Sequence, residues 1–166
     1  MQELEEKVYQ LLKEHGLTLT TAESATGGMI ASTLINVPGI SEFFQEGYVT
    51  YSDAAKVKMI SVDPGTITRF GVVSAETAAD MAKSAAKTAG TDAALSVTGV
   101  AGPDGGTPKC PVGLVYIGCY LCGVTSVERH LFSGDRMQVR MAATGAALTL
   151  LCRRIEEQGR KDACES

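Results

Sequence analysis

The sequence is poor in aromatic residues. It has no tryptophan, and aromatic residues make up 5% of its 166 residues. Hydrophobic residues nevertheless reach 45%, so we expect a core built mainly from aliphatic and alanine side chains. The sequence also lacks an apolar run long enough to span a bilayer, and we therefore expect no membrane partner.

The sequence also lacks an excess of positive charge and an even number of cysteines. Its net charge is −4, whereas a nucleic-acid-binding domain usually presents a basic face. The five cysteines are an odd set, which is typical of reduced thiols rather than of a disulfide framework. The acidic, helical start MQELEEKVYQ is unlike a signal peptide. We expect a cytoplasmic protein that does not bind nucleic acid.

The length of 166 residues predicts a single domain over residues 1–166. Helical spacing is predicted for residues 2–15, 27–36, 53–60 and 75–89, and from Asp135 to about Ile155, with a polar tail from about residue 156. Strand patterns alternate with these helices, and Cys122-Gly123 joins the last two strands as a hairpin turn. The five strand segments are LTLTTA, GYVTY, DAALSVTG, VGLVYIGCYL and VTSVERHLFS. This order predicts an α/β fold, a three-layer α/β/α sandwich whose mixed, mostly parallel sheet ends in a β-hairpin.

The stretch TTAESATGGMIA crowds hydroxyl and glycine residues between two apolar segments. Ser24 lies where the predicted strand ends and a helix begins, and Thr26, Gly27 and Gly28 follow it. A helix N-terminus offers unpaired amides and partial positive charge, and glycines let a ligand approach the backbone. Ser24 is therefore placed to attack a carbonyl while nearby amides hold the oxyanion. The same pattern also fits a simple helix cap formed by Ser24 or Thr26.

A serine nucleophile needs a base, and the two histidines, His15 and His130, fall in no recognisable motif. Lys56 is the next candidate. It lies in the first turns of a predicted helix, where the positive helix N-terminus favours a neutral amine. Taken by itself, Lys56 fits a solvated surface lysine better than a base.

Two further features are typical of ligand sites. The loop Gly99–Gly113, rich in glycine and proline, follows a buried strand, which is a common ligand position in α/β sheets. It does not match the P-loop pattern, but its glycine amides can form an anion nest; it also fits a plain connecting loop. Arg136 opens the last helix, where it is placed to grip a phosphate or to face acids at the surface. The single pair Cys119 and Cys122 predicts no metal site, because side chains at this spacing on a strand point to opposite faces.

Taken together and in order, several segments resemble the C-terminal domain of the CinA family, in the form that stands alone as nicotinamide mononucleotide deamidase. The resemblance runs from about Leu17 to Leu151, and no counterpart of the N-terminal domain of full-length CinA proteins is expected. The segments that carry it are TTAESATGG, GYVTYSDAAKVKMISV, GVVSAETAADMA, SVTGVAGPDGGTPKCPVGLVYI and FSGDRMQVR.

The resemblance implies an enzyme that hydrolyses the carboxamide of nicotinamide mononucleotide to nicotinate mononucleotide and ammonia, in pyridine nucleotide salvage. It implies a Ser/Lys dyad, with neither a metal nor a cofactor in the chemistry, and a homo-oligomer. By matching motifs, Ser24 is the nucleophile, Lys56 is its base, and Tyr51 assists Lys56. The residues expected to contact the substrate are Thr26, Gly27, Gly28, Thr98, Gly99 and Arg136.

Two positions depart from the family pattern. Ala25 stands where a cysteine is common, and Asp53-Ala54 stands where Asn-Glu is common. Neither change removes a member of the dyad. The alternative hypothesis is a non-catalytic nucleotide-binding or regulatory module, which would keep the glycine-rich loop and Arg136 but would need neither Ser24 nor Lys56.

Overall fold

In a computed structural model, which describes residues 1–165 and the side chains of residues 1–159, five strands form one sheet. β1 pairs in parallel with β2 and β3, whereas the pairs β3–β4 and β4–β5 are antiparallel. Four strands therefore share one direction, and only β4 among the described strands opposes them. In chain order the strands are β1 (Leu19–Glu23), β2 (Phe44–Val49), β3 (Ala93–Gly99), β4 (Leu114–Leu121) and β5 (Val124–Leu131), and in the sheet they lie in the order β2-β1-β3-β4-β5.

Helices cover both faces of this sheet. One face carries α1 (Gln2–His15), α2 (Met29–Leu34) and α6 (Arg136–Glu165), which contact one another. The other face carries α5 (Ala75–Ala89), against which α3 (Asp53–Ile60) and α4 (Pro64–Phe70) pack. The predicted three-layer α/β/α sandwich with a mixed sheet and a terminal hairpin is confirmed.

The core lies on both sides of the sheet, because alternate residues of a strand point to opposite faces. Leu95 and Val97 of β3 pack towards α1, α2 and α6, together with residues such as Leu148. Ala94 of β3 packs towards α5, where it meets Met81. Small side chains on the α5 side allow that helix to lie close to the sheet, so the core is aliphatic and alanine-rich as the composition predicts.

The hairpin turn also follows the prediction. Cys122 and Gly123 both have positive φ, at 45° and 93°. Two consecutive positive φ angles are what the favoured two-residue hairpin turn requires. Cys119 is buried in β4, whereas Cys122 is exposed in the turn, so the two thiols do not converge.

Two elements differ from the sequence prediction. Helix α4 is not predicted from the sequence, because Pro64-Gly65 has the composition of a turn. In the structure the Asp63 side chain accepts the Gly65 amide at 2.8 Å, and Pro64 occupies the first turn. This arrangement is typical of a helix start. Helix α6 continues past Ile155 to Glu165. Its ion pairs from Arg153 and Arg154 to Glu157 bridge the predicted end and support the helix there.

A prediction concerns the close approach of α5 to the sheet at Gly118. A methyl group added there would overlap Oγ of Ser96 and lie 2.5 Å from the carbonyl oxygen of Ala78. We expect Gly118→Ala to lower the free energy of unfolding by about 2 kcal/mol, because the core must shift to admit the methyl group. The measurement is urea unfolding followed by circular dichroism.

Gly145 in α6 provides the matched control, because an added methyl group meets no atom of the described residues within 4 Å. Gly145→Ala should raise the free energy of unfolding by roughly 0.5–1 kcal/mol, since alanine favours the helix over glycine. Equal effects of the two substitutions would show that α5 does not constrain Gly118.

Candidate active site

The candidate site lies where the three parallel strands end. Ser24 directly follows β1, Tyr51 lies two residues beyond β2, and Thr98 and Gly99 end β3. The chain leaves β1 towards β2 on one side and reaches β3 on the other, and such a reversal opens a crevice at the carboxyl ends of the strands. The fold therefore brings four predicted site residues to one edge of the sheet.

Backbone hydrogen bonds hold Ser24 at this edge. Its amide donates to the carbonyl oxygen of Val97 at 3.0 Å, and the Thr50 amide donates to the carbonyl oxygen of Glu23 at 2.8 Å. The end of β1 is thus tied to both neighbouring strands. The Ser24 side chain lines a cavity of about 260 Å³.

Lys56 supplies the amine of the site. It is the fourth residue of α3. Ser52 caps the start of this helix, and its hydroxyl accepts the Ala55 amide at 3.0 Å. Its side chain is 1% exposed, and its Nζ lies 3.2 Å from Oγ of Ser24 and donates to the carbonyl oxygen of Thr50 at 2.9 Å. The interpretation of Lys56 as a solvated surface lysine is wrong.

The electrostatic surroundings of Lys56 favour its neutral form. Within the described residues no carboxylate lies within 4.0 Å of its amine. Burial lowers the pKa of Lys56, and the charge of Asp53 opposes part of this shift. A lowered pKa increases the fraction of neutral amine near neutral pH, and a neutral amine at hydrogen-bond distance can accept the hydroxyl proton of Ser24.

Glu23 is a functional residue to which the sequence analysis assigned no role. Its side chain is fully buried, and its carboxylate accepts the amides of Gly28 at 3.0 Å, Ile30 at 3.0 Å and Ala31 at 2.8 Å. These amides form the N-terminus of α2, where a negative charge is favourable. The signal in the sequence is an acid at the last strand position, a few residues before the predicted start of the helix.

Arg140 secures the turn between Ser24 and α2. Its Nε donates to the carbonyl oxygen of Ala25 at 3.1 Å, and its Nη2 donates to that of Thr26 at 2.8 Å. The Gly27 amide donates to the carbonyl oxygen of Ser24 at 3.1 Å. Among the described residues, the amides of Ala25 and Thr26 are left without a hydrogen-bond partner.

The cavity brings together six of the nine predicted site residues. The residues Thr26, Gly27 and Gly28 do not line it. The amides of the two glycines donate instead to Glu23 and Ser24 within the chain. The predicted residues that do line the cavity are Ser24, Tyr51, Lys56, Thr98, Gly99 and Arg136.

Arg136 and Tyr51 lie together at the cavity. Nη2 of Arg136 donates to the hydroxyl of Tyr51 at 3.0 Å, and Nη1 donates to the carbonyl oxygen of Gly102 at 2.8 Å. In the described part of the chain, the Tyr51 hydroxyl has no hydrogen bond to Lys56 or Ser24. The structure therefore links Tyr51 to Arg136, and through Arg136 to the glycine-rich loop, rather than to Ser24 or Lys56.

Thr98 binds the backbone rather than pointing a free hydroxyl into the cavity. Its Oγ1 donates to the carbonyl oxygen of Val72 at 2.7 Å, and it is 1% exposed. Val72 and Val73 line the cavity on the α5 side. Thr98 thus fixes the segment that forms one wall of the site.

The described residues contain neither a membrane-spanning helix nor a cluster of metal-binding side chains. None of the described helices has both the length and the apolarity required to cross a bilayer. No group of three or more His, Cys, Asp or Glu side chains within the described part of the chain is arranged to hold a metal ion.

Comparison with known proteins identifies the family. The model of the CinA C-terminal domain matches residues 1–155, and the chain belongs to this family. A CinA-like protein of Kosmotoga olearia is 51% identical over 152 residues, which cover 92% of this chain and 37% of that protein. The chain thus spans a little over a third of the length of that curated relative.

Solved structures agree with this assignment. A CinA superfamily protein from Klebsiella pneumoniae superposes with a TM-score of 0.90 at 33% identity, covering 94% of this chain and 98% of the other. A competence or damage-inducible protein from Enterobacter asburiae gives a TM-score of 0.89 at 36% identity, with coverage of 93% and 97%. The sequence resemblance to this family is therefore confirmed.

A prediction follows from the burial of Glu23. Glu23→Ala leaves three amides at the start of α2 without their acceptor, and we expect it to lower the free energy of unfolding by about 3 kcal/mol. Glu23→Gln keeps one carbonyl oxygen and should have a smaller effect. Urea unfolding measures both, and an unchanged stability of Glu23→Ala would contradict the role of this carboxylate.

Proposed function

We propose that the protein is an amidohydrolase that converts nicotinamide mononucleotide to nicotinate mononucleotide and ammonia. The observation that carries the proposal is the buried amine of Lys56, 3.2 Å from Oγ of Ser24 at the cavity. This is the geometry of a nucleophile beside its base. Membership of the CinA C-terminal domain family supports the choice of substrate.

In the proposed mechanism, neutral Lys56 takes the proton of the Ser24 hydroxyl. Oγ of Ser24 attacks the carboxamide carbon, and a tetrahedral intermediate with a negatively charged oxygen forms. The pyridinium ring withdraws electrons from the adjacent carbonyl and makes it a better electrophile.

We assign the stabilisation of this oxyanion to the amide of Ala25. Ala25 lines the cavity and its amide lacks a partner among the described residues, whereas the amides of Gly27 and Gly28 donate within the chain. The residue directly after a nucleophile commonly supplies such an amide. This proposal differs from the expectation for Thr26, Gly27 and Gly28, because it places the oxyanion donor at Ala25, one residue before that segment.

The second half of the reaction returns the protons. Protonated Lys56 donates its proton to the leaving ammonia as the carbon–nitrogen bond breaks, which leaves an acyl ester on Ser24. The neutral amine of Lys56 then takes a proton from water, and the resulting hydroxide equivalent attacks the ester. Nicotinate mononucleotide leaves, and Ser24 recovers its proton from Lys56.

Arg136 is the proposed phosphate contact. Two of its N–H groups hold Tyr51 and Gly102, so the rest of its five donors remain for an anion. A cavity of about 260 Å³ lies near the lower end of small-molecule sites and suits a mononucleotide. The phosphate thus supplies binding energy remote from the reacting carbon.

The cytoplasmic location, the homo-oligomeric state and the restriction to a small-molecule partner remain predictions. In line with a reducing compartment, Cys110, Cys119, Cys122 and Cys152 are free thiols; the side chain of Cys164 lies outside the described residues.

The first test addresses the dyad. We expect Ser24→Ala and Lys56→Ala each to lower kcat by about 10³-fold or more, and the double variant to be little worse, because the two residues act as one unit. Release of ammonia from nicotinamide mononucleotide measures turnover. Calorimetry should show that Ser24→Ala still binds the mononucleotide. Near-normal turnover by Ser24→Ala would overturn the mechanism, and binding by the unaltered protein without ammonia release would favour the non-catalytic module.

The second test addresses Arg136. Arg136→Gln should raise KM for nicotinamide mononucleotide by about tenfold or more, since charge-assisted bonds to the phosphate are lost. The matched substrate is nicotinamide riboside, which lacks the phosphate and for which KM should change little. An equal change in KM for the two substrates would argue against a phosphate contact.

A further inference from the structure

The described lining of the cavity includes two basic side chains, Lys56 and Arg136, and one carboxylate, that of Asp53. Asp53 is the first residue of α3, three positions before Lys56. Residues at this spacing lie on neighbouring positions of one helix face. Asp53 therefore places a negative charge in the same cavity as the reacting pair.

The carboxylate of Asp53 has no partner among the described residues. Asp53 is exposed, and no hydrogen bond or ion pair to it is found among the described residues. Arg136 holds Tyr51 and Gly102, and Lys56 contacts Thr50 and Ser24. Asp53 is thus a charged acceptor that the fold itself does not use.

This charge acts against the amine beside it. A carboxylate near Lys56 raises the pKa of the lysine and so favours the protonated form, which cannot act as a base. The helix N-terminus by itself tolerates an acid at this position, and burial outweighs the effect of Asp53 on the pKa of Lys56. A cation bound in the cavity would offset it, because a positive charge near Lys56 lowers the pKa of the amine.

The geometry of the proposed reaction brings such a cation to this place. The carboxamide carbon must lie at Oγ of Ser24, and the carboxamide is bonded directly to the pyridinium ring. The positive ring therefore lies in the cavity that Asp53 lines. Opposite charges a few ångströms apart attract more strongly in a partly enclosed site than in bulk water.

We propose that Asp53 determines substrate specificity by selecting a carboxamide carried on a cationic pyridinium ring over the same carboxamide on a neutral ring. This inference rests on the proposed function and extends it to the substrate class. The bound ring would meet the unpartnered carboxylate at one side and the nucleophile at the other.

The test compares two ligands that share the carboxamide, ribose and phosphate. Nicotinamide mononucleotide carries the charged ring, and its dihydro form carries a neutral ring. Dissociation constants are measured by calorimetry in Ser24→Ala, which removes turnover. We expect the cationic ligand to bind at least about tenfold more tightly, and Asp53→Asn to reduce this ratio by about tenfold, since one charge pair is lost.

Two variants provide the controls. Asp53→Glu keeps the negative charge and should keep most of the ratio. Glu6→Gln removes one carboxylate from the exposed side of α1 and should leave the ratio unchanged. Circular dichroism of each variant verifies that it is folded, and the ratio of kcat/KM for the two ligands, measured with Ser24 intact, provides a second readout that does not need Ser24→Ala.

The outcomes distinguish failure of this inference from failure of the proposed function. If nicotinamide mononucleotide binds and is hydrolysed but Asp53→Asn leaves the ratio unchanged, the role of Asp53 is wrong and the proposed function stands. An equal loss of affinity for both ligands in Asp53→Asn would also overturn the role of Asp53. Such a result would mean that Asp53 contacts the ribose or phosphate that both ligands share, or that it only stabilises the fold. Failure of the unaltered protein to bind or hydrolyse the mononucleotide would overturn the proposed function and this inference together.

Discussion

The site depends on a lysine amine that is buried with no carboxylate within 4.0 Å among the described residues. Removing an ammonium group from water is unfavourable, and the described residues offer Lys56 a carbonyl oxygen at 2.9 Å and the Ser24 hydroxyl at 3.2 Å. Proton loss relieves this cost, so burial itself favours the neutral amine. Ser24 and Thr50 follow the ends of β1 and β2, and they meet Lys56 of α3 at one edge of the sheet.

Glu23 is a second buried ionisable side chain, and backbone amides surround it. Three amides of the following turn and helix donate to its carboxylate, so its oxygens have hydrogen-bond partners in the interior. The N-terminus of α2 is thereby filled from inside the protein. Arg136, rather than this helix N-terminus, contributes a positively charged group to the cavity lining.

The sequence predicts the layers of the fold and most of the site, because periodicity and caps are local signals. Gly16, Ser52, Ser74 and Gly90 mark helix ends in the sequence and do so in the structure. Contacts between distant residues leave no such signal. The hydrogen bonds from Arg140 to the turn after Ser24 join residues that are 114 and 115 positions apart in the sequence. The length of α6 depends on ion pairs that polar composition alone does not reveal.

The first turns of α6 have a mechanical consequence. Arg136 and Arg140 lie one helical turn apart, and the first reaches Tyr51 and the glycine-rich loop while the second donates to the turn after Ser24. One helix thus holds two separate parts of the backbone around the cavity. Any displacement of α6 along the sheet would move both contacts together, so these two parts cannot shift independently of each other.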